Sequence, residues 1–155
     1  MNLLATHAIS FKSSTDVSTL FPNGIDRAGQ TGAQFGGPAG VPKWLVNYTA
    51  DYEVGRLGLN ANVRFVSKSH VNNGLFGPGE PEYNPALATS INNNTILDAA
   101  YLDLGVRYKL GSRENITLYF NVDNVFNRNP PLPATGSAYY DLMGRTYKGG
   151  VRFSF

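Results

Sequence analysis

The chain of 155 residues contains no cysteine, which excludes a disulfide framework, a cysteine-bound zinc site and a thiol nucleophile. Only two histidines are present, His7 and His70, and they belong to separate segments, leaving little for a metal or catalytic cluster. Charge is sparse: 15% of residues are charged, against ~25% in a typical soluble domain. The balance of 13 basic and 11 acidic residues is only +2, too small and too evenly spread for a nucleic-acid footprint. No apolar run approaches the ~18–20 residues of a membrane-spanning helix, and residues 1–7 carry neither the basic nor the apolar region of a secretory signal. There is no G-x-S-x-G, no phosphate-binding glycine loop and no metal-ligand spacing. The chain therefore reads as a non-enzyme without cofactor or metal.

What is present is glycine, at 17 residues, and aromatic side chains, at 12%. The length predicts one domain. Alternation decides the class. Trp44, Val46, Tyr48, Ala50, Tyr52 and Val54 share one face of a strand, while Leu45, Asn47, Thr49, Asp51 and Glu53 share the other. A period of two sustained over that length is a strand with one apolar and one polar side. The same pattern sets Leu57, Leu59, Ala61, Val63 and Phe65 against Gly58, Asn60, Asn62 and Arg64. It returns through Leu102–Leu110, through Ile116–Val122 and through Tyr147–Phe155, with a weaker run in Leu3, Ala5, Ile9 and Phe11. Six antiparallel strands are expected, near 3–12, 42–54, 57–68, 98–110, 115–126 and 143–155.

Connections are unequal. Gly55-Arg56 and residues 111–114 are tight turns, whereas 13–40, 72–96 and 127–139 are long and rich in Gly, Pro, Asn and Ser. In an antiparallel meander this puts short turns at one end and long loops at the other, the layout of an outer-membrane barrel. The strand lengths agree, because a membrane strand needs ~9–11 residues and a sandwich strand averages ~5–6. Two alternatives remain: a soluble β-sandwich that binds carbohydrate through loop aromatics, and an oligomeric pore assembled from several six-stranded chains. Six strands are fewer than the roughly eight of the smallest single-chain barrels, and open edges are costly in lipid.

From Val41 onward the chain resembles the C-terminal end of a TonB-dependent outer-membrane receptor. The resembling stretches are Gly40-Val41-Pro42-Lys43-Trp44, Ala100-Tyr101-Leu102-Asp103-Leu104-Gly105-Val106-Arg107-Tyr108, Leu118-Tyr119-Phe120-Asn121-Val122-Asp123-Asn124-Val125-Phe126-Asn127 with Pro130-Pro131, and the run from Tyr140 to Phe155. Their order, their spacing and the terminal phenylalanine carry the resemblance. It implies a fold of the all-β, up-and-down transmembrane barrel kind, with residues 1–155 supplying the last strands of a 22-stranded barrel whose plug is not included. It also implies energy-coupled uptake of a scarce solute (iron chelate, cobalamin or oligosaccharide) across the outer membrane of a Gram-negative bacterium. The implied partners are outer-membrane lipid, the barrel assembly machinery and the remaining barrel and plug. TonB itself would be reached only through the N-terminal part.

Tyr147, Gly149, Val151, Phe153 and Phe155 resemble the C-terminal signal read by the assembly machinery. Trp44 and Tyr52, near opposite ends of one strand, and Tyr108 are candidates for the aromatic girdle at the membrane interfaces. Asp103, Arg107, Asn121, Asp123 and Arg152 should face the lumen, as a solvated ion-paired wall or as contacts for the plug or a passing solute. Asp141 and Arg145 are expected to form a local ion pair. The Asn- and Gly-rich loop clusters, such as Asn72-Asn73-Gly74, read as ordinary turn chemistry.

Overall fold

The computed structural model describes residues 1–12, 17–19, 21–32, 40–111, 114–131 and 138–154. Among them there is no helix. Six strands, β1 (Asn2–His7), β2 (Trp44–Val54), β3 (Leu57–Val66), β6 (Ala99–Leu110), β7 (Ile116–Asp123) and β8 (Thr146–Phe153), form one antiparallel sheet in the order β1-β2-β3-β6-β7-β8. Two short strands, β4 (Ser69–His70) and β5 (Thr95–Ile96), pair within the connection between β3 and β6. The all-β, antiparallel, up-and-down expectation is met, with β4 and β5 as additions too short to show an alternation.

Each strand is trimmed relative to the sequence pattern, for local reasons. β1 ends at His7, not near residue 12, because its neighbour beyond Trp44 and Lys43 is Pro42, which has no N–H to offer a ladder. The last bond there runs from the Ala8 amide to the Lys43 carbonyl, after which Ile9 is 83% exposed. β7 stops at Asp123, not near residue 126, because Asn124 and Asn127 both adopt positive φ, which no ladder accommodates. β8 begins at Thr146 rather than near residue 143 because Gly144 is left-handed and the Arg145 amide is held by the side-chain oxygen of Asn127.

Register carries the alternation across the whole sheet. Tyr52 faces Leu59, Leu59 faces Val106, Val106 faces Phe120 and Phe120 faces Gly149. A parallel row runs Val54, Leu57, Tyr108, Leu118, Val151. Toward the tight-turn end and along β7 and β8 the large side chains of this face are exposed, Tyr52, Tyr108, Leu118, Phe120 and Tyr147 among them. On the opposite face Thr49, Asn62 and Asp103 form a polar row. Both tight turns lie at one end: Gly55, at φ 55°, starts the two-residue turn between Val54 and Leu57, where a type II′ turn places its glycine. The connections 8–43, 67–98 and 124–145 all leave from the other end, as the unequal loop lengths predict.

The buried core sits in an unexpected place. Val66, Ile96, Ala99, Tyr101 and Tyr140 are buried together, with Leu45, Val71 and Tyr139 packed around them. Leu45, Val66, Ala99 and Tyr101 belong by alternation to the polar side of the sheet. The described parts of the long connections thus fold over the polar face at their own end, and among the described residues nothing covers the apolar face.

Candidate functional site

Three surfaces deserve a chemical reading: the bare apolar face, the polar face and the layer made by the long connections. On the apolar face Trp44, Tyr52, Leu59, Leu104, Val106, Tyr108, Leu118, Phe120, Tyr147, Val151 and Phe153 are all exposed. Together they present on the order of 1,000 Å² of apolar surface, beyond the ~300–600 Å² of the largest patch on a typical soluble monomer. Trp44 stands at the long-connection end, its indole stacked on the His7 ring with centroids 4.1 Å apart. Tyr52 and Tyr108 stand near the tight-turn end, Tyr108 opposite Leu57. Phe120 and Tyr147 stack across β7 and β8 at 6.2 Å. Of the terminal alternation, Tyr147, Gly149, Val151 and Phe153 share this face, and Phe155 lies outside the described residues.

The polar face is a bonded wall. Thr49 Oγ1 donates to Asn62 Oδ1 at 3.2 Å, and Asn62 Nδ2 donates to Asp103 Oδ2 at 3.2 Å. The other oxygen of Asp103 accepts the Asn124 amide at 2.8 Å and so anchors the turn after β7. Arg107 pairs with Glu53 and Lys148 with Asp123, which also accepts the Thr146 hydroxyl at 3.1 Å. Toward the tight turns a shallow depression of about 410 Å³ is lined by Asn60, Arg107, Thr117, Tyr119, Asn121 and Arg152, among others. Glycines make room for these side chains: Asn60 and Asn121 meet above Gly105, and a methyl at Gly150 would lie 2.5 Å from the Tyr119 hydroxyl. The structure therefore brings Arg107, Asn121 and Arg152 to one depression and places Asp103 and Asp123 in the row above it.

The layer of long connections is held by buried polar groups. Thr31 Oγ1 bonds the Tyr140 hydroxyl at 2.8 Å and also contacts Ser69 Oγ, so one cluster of hydroxyls joins all three connections. Asn73 Nδ2 donates to the carbonyls of Asp26 and Ala28, and Asn94 Nδ2 to those of Asn72 and Leu75. The Asp26 carboxylate accepts the amides of Phe11 at 2.9 Å and Ala28 at 3.0 Å. Those bonds, the Phe11 amide first, hold its carboxyl below the usual range. The loop asparagines thus serve as turn and cross-loop ties. Asp141 and Arg145 do not form the expected ion pair: Asp141 accepts the Met143 amide at 2.9 Å, and the Arg145 guanidinium reaches the Tyr147 hydroxyl at 3.4 Å. The left-handed Gly144 between them turns the chain so that the two side chains part.

Tyr101 is the residue whose part sequence reasoning missed. Alternation places it on the polar face, yet it is 2% exposed, with the Arg64 guanidinium 5.1 Å from its ring centre. The signal was legible: Leu45, Val66 and Tyr101 are apolar or aromatic interruptions of a polar register, all at the long-connection end. Among the described residues no group of three or more His, Asp or Glu side chains is placed to hold a metal. No protein-family model, curated protein or solved structure matches the chain.

Proposed function

We propose that this chain is part of the wall of an outer-membrane β-barrel of the TonB-dependent receptor class, working in energy-coupled uptake of a scarce solute such as an iron chelate, cobalamin or an oligosaccharide. The observation that carries the membrane reading is where the loops go. In water, a sheet with one greasy face and one polar face lowers its free energy by folding its loops onto the greasy one. Among the described residues the long connections cover the polar face and leave the apolar face bare, an arrangement that lipid on the apolar face would make favourable. The same observation weighs against a soluble sandwich formed by the described residues alone, among which no second sheet covers the apolar face.

Dimensions support the reading. Trp44 to Val54 spans ten residue steps of β2, about 34 Å at ~3.4 Å per residue, or about 26 Å along the membrane normal at a ~40° tilt. That matches an apolar band ~25 Å tall. In this reading Trp44 marks the rim at the long-connection side, and Tyr52 and Tyr108 the rim at the short-turn side. The bonded wall of Asp103, Arg107, Asn121, Asp123 and Arg152 lines the lumen, and the alternation ending Tyr147, Gly149, Val151, Phe153, Phe155 is the assembly signal. β1 and β8 have one neighbour each. Each unpaired backbone group in hydrocarbon costs several kcal/mol, so both edges pair with further strands of the same barrel. The assignment to the TonB-dependent class rests on the ordered motifs from Gly40 to the terminus. It expects the source genome to encode, upstream of these strands, a plug and about sixteen further strands, as in a plugged 22-stranded barrel.

Trp44 is the one tryptophan, which makes the test direct. With the chain reconstituted in vesicles of brominated phosphatidylcholine, its emission should be quenched more by bromines near the headgroup than by bromines near the chain end. A chain that stays in aqueous solution without detergent, with Trp44 insensitive to both lipids, overturns the proposal.

A further inference from the structure

The layer of long connections contains a cleft of about 280 Å³ whose walls include Gly29, Lys43, Lys68, Ser69, His70 and Asn73. Lys43, Lys68 and His70 all line it, and no carboxylate lines it among the described residues. Neither Lys43 nor Lys68 takes part in an ion pair among the described residues. In a chain whose net charge is only +2, two uncompensated lysines facing one cleft are a concentration of positive potential.

The cleft is also built rather than incidental. Its floor is fixed by the His70 amide on the Gly29 carbonyl at 2.7 Å and the Gly29 amide on the Val41 carbonyl at 2.8 Å. Gly29 has φ +88°, and the stem of Lys43 lies across it, so that a methyl there would sit 3.4 Å from Lys43 Cγ. Ser69 is held in the hydroxyl cluster with Thr31 and Tyr140. Arg27, two residues before Gly29, is buried with its guanidinium on Gln30 Oε1 at 3.2 Å. A volume just under the ~300 Å³ at which pockets take drug-sized ligands suits a headgroup-sized anion.

We propose that the Lys43–Lys68–His70 cleft binds a compact, multiply charged oxyanion group, of the phosphate-ester kind, carried by a solute. The ammonium groups supply charge-assisted hydrogen bonds and the His70 ring N–H a further donor. Anion binding stands independently of the membrane reading; only the cleft's place at the outer mouth of a barrel rests on it.

The test is calorimetric titration of the detergent-folded chain with inorganic pyrophosphate at low ionic strength. Saturable binding is expected, weakening with added salt and falling about tenfold in each of K43Q and K68Q, the loss of one hydrogen bond to a charged group. K109Q, which alters a lysine elsewhere at Glu114, should bind as the parent does, and K43R/K68R should retain binding, which separates lost charge from lost fold. No saturable heat, or equal affinity in K43Q/K68Q, overturns the proposal. So does a response to phosphatidylglycerol in mixed micelles with none to pyrophosphate, which would assign the lysines to lipid headgroups. Failure of the membrane reading shows separately, in the Trp44 quenching.

Discussion

Leu104 lies at mid-length in β6, between Ala61 of β3 and Val122 of β7, on the bare apolar face and 41% exposed. Replacing it with lysine separates lipid from water as the medium on that face. In a bilayer the position is near the midplane, where a lysine on the lipid side of a barrel costs about 2–4 kcal/mol. That corresponds to a loss of roughly 30- to 900-fold in partitioning, at 1.36 kcal/mol per factor of ten. In water the same substitution removes an exposed apolar group and should change stability by no more than about 0.5 kcal/mol. Asp51 provides the control: it is exposed at nearly the same depth on the polar face, one residue from Ala50, so Asp51→Lys should leave partitioning within a few-fold of the parent. The assay is flotation of the parent, Leu104→Lys and Asp51→Lys with phosphatidylcholine vesicles across a urea series, read by Trp44 emission. Equal partitioning of Leu104→Lys and the parent would refute the argument, as would a penalty for Asp51→Lys as large as that for Leu104→Lys.

Two further outcomes follow from the loop layer. Tyr140→Phe removes the hydroxyl shared by Thr31 and Ser69, a loss of about 1–2 kcal/mol, and hydrogen exchange should speed up around residues 31, 69 and 140 together while β2, β3 and β6 stay protected; faster exchange confined to the 140 region would contradict the three-way tie. The Asp26 carboxyl is depressed in the folded chain by the Phe11 and Ala28 amides, so its contribution is fully present above the ordinary carboxyl range and is lost as pH falls through its folded value. Exchange at those two amides, corrected for the intrinsic rate, should therefore rise below about pH 4, and Asp26→Asn should flatten that dependence; an unchanged acid profile in the variant would contradict it.

Much of the architecture was legible because a period of two is written on both faces at once. Trp44–Val54 and Leu57–Val66 show their register in their sequence, since a one-residue slip would put Tyr48 opposite Asn62 or Arg64 instead of Val63. Strand ends were less legible because they depend on single backbone conformations: the left-handed Asn124 and Gly144, and Pro42 opposite the end of β1. Ile9 and Phe11 continue the alternation of β1 yet have no ladder to join. The loop core was hidden for a different reason. Leu45, Val66 and Tyr101 mark the covered end of the polar face, but that Ile96 and Tyr140 meet them there depends on how the long connections pack, which no local pattern encodes. Similarly, nothing in the sequence brings Lys43 and Lys68 together; the folded connections place both on the lining of one cleft with Gly29 and His70.

In the proposed barrel the two faces of the sheet meet different media. The absence of cysteine permits single-cysteine nitroxide scanning along β6 from Leu102 to Tyr108 in reconstituted vesicles. A period of two is expected: collision with oxygen, concentrated in lipid, dominant at 102, 104, 106 and 108, and collision with a water-soluble nickel chelate dominant at 103, 105 and 107. Uniform access of the nickel chelate to both sets of positions would contradict it.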